Sequence, residues 1–295
     1  MNPLCTLSLE ELAYLWALHG EPHTAHLVLR ADMGEDVLQK PLLAQRMTAA
    51  GHSLLARGLL EQTPARDGVQ AIQPVRELFA RMSSAALFFQ YARAGTIGAV
   101  YQADDGTVVQ ERRYDVVYDF WVYPREEAML RLVERLGLPA PQGDALPAPA
   151  ARVTPALFER VLAQVESSPT DAVINLVAAG FDATSARALA QALGDPDARG
   201  EVALLSAPKN DAGIQLSGWR FVRGTEGLWW FPLGQPEQVL PAYQLTPAQS
   251  ADLLATWFSQ IEPILAQVSQ LPSEEDSLQN VKQDEANSDK LEGVA

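Results

Sequence analysis

Cysteine is almost missing from this chain: Cys5 is the single one in 295 residues. An intramolecular disulfide framework is excluded, and such usage fits a reducing compartment. No uninterrupted apolar run approaches the ~20 residues that a membrane helix requires, so no membrane insertion is expected. The opening Met-Asn-Pro-Leu-Cys has no basic segment followed by an apolar stretch, so no secretory leader is expected either. Cations are scarce, with 22 Lys and Arg against 37 Asp and Glu, a net charge of -15 and a pI of about 4.7. An acidic surface repels phosphate backbones and anionic headgroups, so nucleic acid and membrane are poor partners. The chain reads as soluble and cytoplasmic.

Signatures of catalysis are also lacking. There is no Gly-x-Ser-x-Gly elbow, and Cys5 sits in a segment expected to fray. Phosphate-loop and dinucleotide fingerprints are absent. Gly95-Thr96-Ile97-Gly98 opens a strand, whereas phosphate binding needs a helix N-terminus. His19, His23 and His26 share one short segment, but Gly20 and Pro22 break the face between the first two. No Cys or carboxylate cluster nearby completes a tetrahedral set, so no metal is expected. Asp104-Asp105 and Glu126-Glu127 read as turn and helix-start residues. The expectation is a protein that is not an enzyme and carries no cofactor.

What is present argues for a folded chain. Hydrophobic residues make up 47% and charged residues 20%, enough for one large domain or two ordinary ones. The organising stretch is 85–123, which reads as an antiparallel meander of four strands: 85–93, 96–102, 107–114 and 115–123. Ala94-Gly95 and Asp104-Asp105-Gly106 supply hairpin chemistry, and Glu111-Arg112-Arg113 marks a weaker third break. In the last strand Val116, Tyr118, Phe120 and Val122 make an apolar face. Val117, Asp119, Trp121 and Tyr123 make an amphipathic one.

Helices flank this meander. Ser8 with Glu11 forms a capping box for a helix that stops near Gly20. Residues 23–30 fit helix or strand. Two helices broken near Gly51 are expected over 37–60, then a loop, then a helix from Pro74 to about Met82. Residues 125–136 form an amphipathic helix. The Pro/Ala-rich stretch 139–152 reads as a linker.

The same order then recurs: helices over 154–165, 170–179 and 184–193, strands at 201–207, 213–223, 227–231 and 238–243, and a long helix from Thr246-Pro247. Pro263 is expected to kink or divide that helix. The predicted domains are therefore an α+β half at 1–138, the linker, an α+β half at 153–271, and an acidic tail at 272–295 too polar to order itself. Two like sheets joined edge to edge about a pseudo-two-fold axis would remove two exposed edges.

Two functional readings follow. Residues 37–61 with 73–82 and the strands behind them fit a winged-helix regulator, but the would-be recognition helix offers only His52 and Arg57. The second reading rests on aromatics: Trp219 and Phe221 share one strand face, while Trp229 and Phe231 share another with Trp230 opposite. Leu54-Leu55-Ala56-Arg57-Gly58-Leu59-Leu60, Pro74 through Met82, the Phe88 to Tyr123 meander and Leu136-Gly137-Leu138-Pro139 resemble the first half of the EspG-like proteins associated with type VII (ESX) secretion. Gly227-Leu228-Trp229-Trp230 followed by Leu245-Thr246-Pro247 is similar to the second half.

That resemblance implies an α+β fold of two pseudo-symmetric halves, with a central antiparallel sheet flanked by helical bundles. It also implies a cytosolic, non-enzymatic chaperone that binds a helical secreted protein partner and keeps it soluble for export. Trp121, Tyr123, Trp229 and Phe231 are the expected aromatic contacts, since such side chains dominate binding hot spots.

Overall fold

The computed structural model describes residues 2–33, 40–63, 68–85, 87–206, 215–225 and 227–268. The acidic tail expected at 272–295 lies outside them.

Ten strands form one antiparallel sheet in the order β1-β7-β6-β5-β4-β9-β10-β11-β12-β8. The first half contributes β1 (Cys5–Ser8), β4 (Leu87–Arg93), β5 (Thr96–Ala103), β6 (Gly106–Arg113) and β7 (Val117–Tyr123). The second contributes β8 (Ala151–Val153), β9 (Arg199–Ser206), β10 (Gln215–Gly224), β11 (Gly227–Pro232) and β12 (Leu240–Leu245). The halves meet where β4 pairs antiparallel with β9, Tyr91 opposite Val202. Each half is a strand, a helical bundle, a four-strand meander and a closing helix. The leading strand returns to pair with the last strand of its own meander, β1 with β7 and β8 with β12. The α+β architecture expected from sequence is thus present, with one continuous sheet.

The helices divide by face. The closing helices α5 (Ala128–Arg135) and α9 (Pro247–Val268) lie side by side over one face. There Phe89, Val100, Trp121, Phe221 and Trp230 pack with Leu132, Leu254 and Phe258 in one core that spans both halves. The opposite face carries two separate bundles. In the first, α1 (Leu9–Leu18), α2 (Pro22–Met33), α3 (Lys40–Ala56) and α4 (Gln73–Ser84) cover Val108, Tyr118 and Phe120. In the second, α6 (Pro155–Ser167), α7 (Pro169–Ala178) and α8 (Ala183–Leu193) cover Val222, Trp229 and Phe231.

Local chemistry explains most boundaries. Ser8 and Glu11 make the reciprocal capping box on α1. Helix α5 ends in a Schellman turn: Gly137 takes φ +67, and Leu138 N–H reaches Val133 O at 3.1 Å. Arg93 from β4 and Arg223 from β10 also donate to its last carbonyls, Arg135 O and Leu136 O, so both halves hold this terminus.

Several expectations change. Cys5 belongs to an edge strand and is buried. The short strands β1 and β8, and the hairpin of β2 (Leu60–Gln62) with β3 (Val69–Ala71), carry too few residues to show a period. β8 lies inside the segment expected to be linker. Residues 23–30 are helical, within α2. Helix α3 runs through Gly51 unbroken, and the glycine serves close packing there: the Tyr14 ring fills the space a side chain would take, with Cε2 3.1 Å from an added Cβ. Helix α9 likewise continues across Pro263 as one element. The third hairpin turns at Tyr114-Asp115, both at positive φ, and not at the preceding charged triplet.

Candidate functional site

The sheet register sets out three transverse rows on the face that carries the two bundles. Tyr101, Phe88 and Leu205 lie opposite one another across β5, β4 and β9. One step along, Gln110, Ala99, Gln90, Ala203 and Gly218 cross five strands. One step further come Arg112, Ile97, Ala92, Glu201 and Arg220. The first row is apolar, the second is small apart from Gln90 at its centre and Gln110 at one end, and the third is charged at both ends.

This area lies between the bundles. Helix α4 packs against β5 and β6, and α8 packs against β10. On this face β4 and β9 place no side chain in any of the three buried cores. Gln90 is exposed, while Phe88, Ala92, Ile97 and Leu205 are half-buried. The floor left between the flanking helices is β4 and β9, about two strand spacings or roughly 10 Å. An α-helix with its side chains is about 10–12 Å across, so the trough is one helix wide. Small residues in its middle row allow close approach, and the stacked Phe88 and Tyr101 rings, 4.8 Å apart, raise one end. The Tyr101 hydroxyl is held by Gln110 Oε1 at 3.0 Å.

At the other end Arg220 joins the trough to the second bundle. Its guanidinium pairs with Glu201 at 3.0 Å and with Glu159 of α6, and lies 5.5 Å over the Phe158 ring. Beyond it a cavity of about 250 Å³ opens between α6 and the end of β11.

The four aromatics expected as contacts occupy other places. Trp121 and Tyr123 lie under α5, roofed by Arg135 and Arg131 respectively, each 4.2 Å from the ring. Trp229 and Phe231 lie together beneath the second bundle, Phe231 tilted against Phe158 at 4.7 Å. All four are buried, with Trp229 at 0% exposure. In this fold they are core residues, because each face of the sheet has its own helices. The structure brings them together in pairs, on opposite faces, and presents none of them to solvent.

The trough residues escaped sequence reading for a physical reason. Ala, Gln and Gly carry no pattern of their own, and their alignment exists only through strand register. The available signal was Gln90, a lone polar residue between Phe89 and Tyr91 on a strand buried on its other face.

His23 and His26 are exposed on α2, while His19 leans towards Phe79 at 6.3 Å between ring centroids. Among the described residues no group of three His, Cys, Asp or Glu side chains is placed to hold a metal. No described helix is long and apolar enough to cross a membrane. The winged-helix reading loses its geometry. Arg57 is tied to Glu11 and to Thr6 O, and α4 turns Val75, Leu78, Phe79 and Met82 into the core.

No family model and no curated protein matches the chain. Solved structures do match. One is the type VII secretion system chaperone EspG5 of Mycobacterium tuberculosis, determined in complex with a PE25-PPE41 dimer. It superposes with a TM-score of 0.54 at 16% identity, over 85% of this chain and 94% of EspG5. The two proteins share a fold.

Proposed function

We propose that this chain is an EspG-like binding protein that holds a helical secreted protein in the cytoplasm and delivers it to a type VII secretion machine. The observation that carries the reading is the one-helix-wide trough between the bundles, on a fold shared with a chaperone solved in complex with a PE25-PPE41 dimer. Lengthwise the floor passes from an apolar end, over small residues, to a charged end, which suits a helix that lies along the strands with its apolar face down and a charged residue near one terminus. The sheet floor supplies rigidity, and exposed Gln90 supplies a hydrogen-bonding group where a partner backbone or side chain passes. The role asked of these residues is binding; no proton or group transfer is assigned to them.

The test is capture from the native cell. Tagged wild-type chain is expected to retain a small helical protein exported by a type VII system. Gln90→Arg places a bulky charged side chain at the exposed centre of the middle row and is expected to release it, with the circular dichroism spectrum and melting temperature near wild type. Retention by Gln90→Arg at wild-type level would remove the trough from this role. Recovery of no exported protein would count against the chaperone reading itself.

A further inference from the structure

We infer that the cavity beside Arg220 is an anchor site for one bulky apolar side chain of a bound polypeptide, with a Lys or Arg as its neighbour. The inference rests on the trough being a polypeptide-binding surface and specifies what that surface selects.

The cavity lies between the first turn of α6, where Pro155 and Phe158 face it, and Phe231, Pro232 and Leu240 on the sheet side. Its volume of about 250 Å³ falls below the ~300–1,000 Å³ typical of metabolite sites, and suits a single side chain. The helix N-terminus at its edge is not available to an anion. Pro155 has no N–H, Ala156 N–H donates to Pro236 O at 3.1 Å, and Leu157 N–H donates to Thr154 Oγ1 at 3.1 Å. Phe158 N–H donates to Thr154 O at 3.1 Å. With those donors used, what remains on offer is apolar surface.

The cavity is also built in advance. Three of its lining residues are prolines (Pro155, Pro232 and Pro236), and the segment that closes it is pinned at both ends. Leu233 N–H bonds to Gly218 O at 2.8 Å, and Pro236 O is held by Ala156. A site that needs no ordering on binding loses less entropy to its ligand.

Charge at the lip indicates the neighbour. One guanidinium, Arg220, stands between two carboxylates, Glu159 and Glu201, whose side chains are 55% and 42% exposed. One cation shared by two anions leaves negative charge unmatched, which a cationic residue of the ligand would complement. Arg220 is also the last member of the charged row of the trough. A segment lying in the trough therefore passes this lip and can lower one side chain into the cavity. A buried anchor ringed by half-exposed polar groups is the usual arrangement of a binding hot spot.

The test uses acetyl-Phe-Arg-amide as probe, titrated into the full ¹⁵N-labelled chain. Saturable shifts are expected at the amides of Ala156, Gly234 and Leu240. Acetyl-Gly-Arg-amide is expected to leave them unmoved, and acetyl-Phe-Glu-amide to bind roughly threefold more weakly, the size of an exposed ion pair. Ala156→Leu fills the cavity from a helical position and is expected to abolish the shifts while leaving the Gly98 amide in place. Leu240→Phe does the same from the sheet side should the first variant fail to fold. The inference is overturned if these amides do not move, or if they respond equally to the Gly peptide or in the filled variants. Gln90→Arg is expected to keep the dipeptide response while releasing the whole partner. A positive titration without capture of any exported protein would keep the anchor site and reject the secretion reading.

Discussion

The carboxylate of Asp252 accepts the main-chain N–H of Gly143 at 2.7 Å. The same oxygen takes Gln142 N–H at 2.8 Å, and its partner oxygen takes Asp144 N–H at 3.3 Å. Asp252 sits on α9 at 3% exposure, and Gly143 takes φ +81 to turn three successive amides toward it. The crossover between the halves is therefore fastened to the helix that closes the second half, although its sequence is that of a free spacer. Asp252→Ala is expected to cost about 1.5–3 kcal/mol, the range for hydrogen bonds to a charged group. It is also expected to open 139–150 to proteolysis. Asn at this position is expected to recover part of the loss. Unchanged melting and unchanged cleavage in the Ala variant would show the clasp to be incidental.

The two sets of aromatics give opposite expectations. Trp229 is wholly buried, so Trp229→Ala leaves a large cavity and is expected to cost about 3–5 kcal/mol, seen as a fall in the urea midpoint. Phe88 is half-buried and stacks on Tyr101, so Phe88→Ala is expected to cost about 1 kcal/mol. Partner capture should fall in the second variant while its fold survives. Equal destabilisation by both would mean that the trough is as much core as the bundles are.

The contrast shows what the sequence could and could not express. The meander, the capping box at Ser8, the amphipathic helix over 125–136 and the repeat of element order were legible, because each is local or periodic. The joining of β4 to β9 was legible only as a possibility, since antiparallel pairing across more than a hundred residues leaves no local mark. The burial of the four aromatics was unreadable for a related reason. A strand with aromatics on both faces, such as Trp229-Trp230-Phe231, requires two covers, and the choice between own helix and foreign partner depends on where the bundles settle. Strands β1 and β8 were invisible because three or four residues display no alternation.

Cys5 is expected to be inert in the folded protein. Burial pushes its thiol up to about 12; Arg57 opposes the shift, while Asp119 and Glu11 add to it. Nucleophilic attack requires the thiolate, which is then scarce at neutral pH. Alkylation by iodoacetamide at pH 8 is expected to be negligible in buffer and complete in denaturant. Rapid labelling without denaturant would place Cys5 in a strand that detaches.

Glu11 is expected to make the first bundle acid-labile. Burial alone would raise its carboxyl. The Ser8 amide, the Ser53 hydroxyl at 2.7 Å and the Arg57 guanidinium outweigh burial and hold it below the usual carboxylate range. A carboxyl lowered in the folded state contributes stability that is fully present above its unfolded value, near 4.3, and is lost as pH falls through the folded value. Arg57 is 41% exposed, so solvent screens the ion pair and the capping bonds carry most of the effect. Glu11→Gln is expected to cost about 1–2 kcal/mol at pH 7. That gap should be smaller at pH 3, below the unfolded value, because protonation of the unfolded chain has begun to draw away the stability that the carboxylate contributes. Urea titrations of both proteins at the two pH values measure it directly. A gap that stays constant with pH would mean that Glu11 acts through shape alone, with its charge contributing nothing to the junction of α1, α3 and β1.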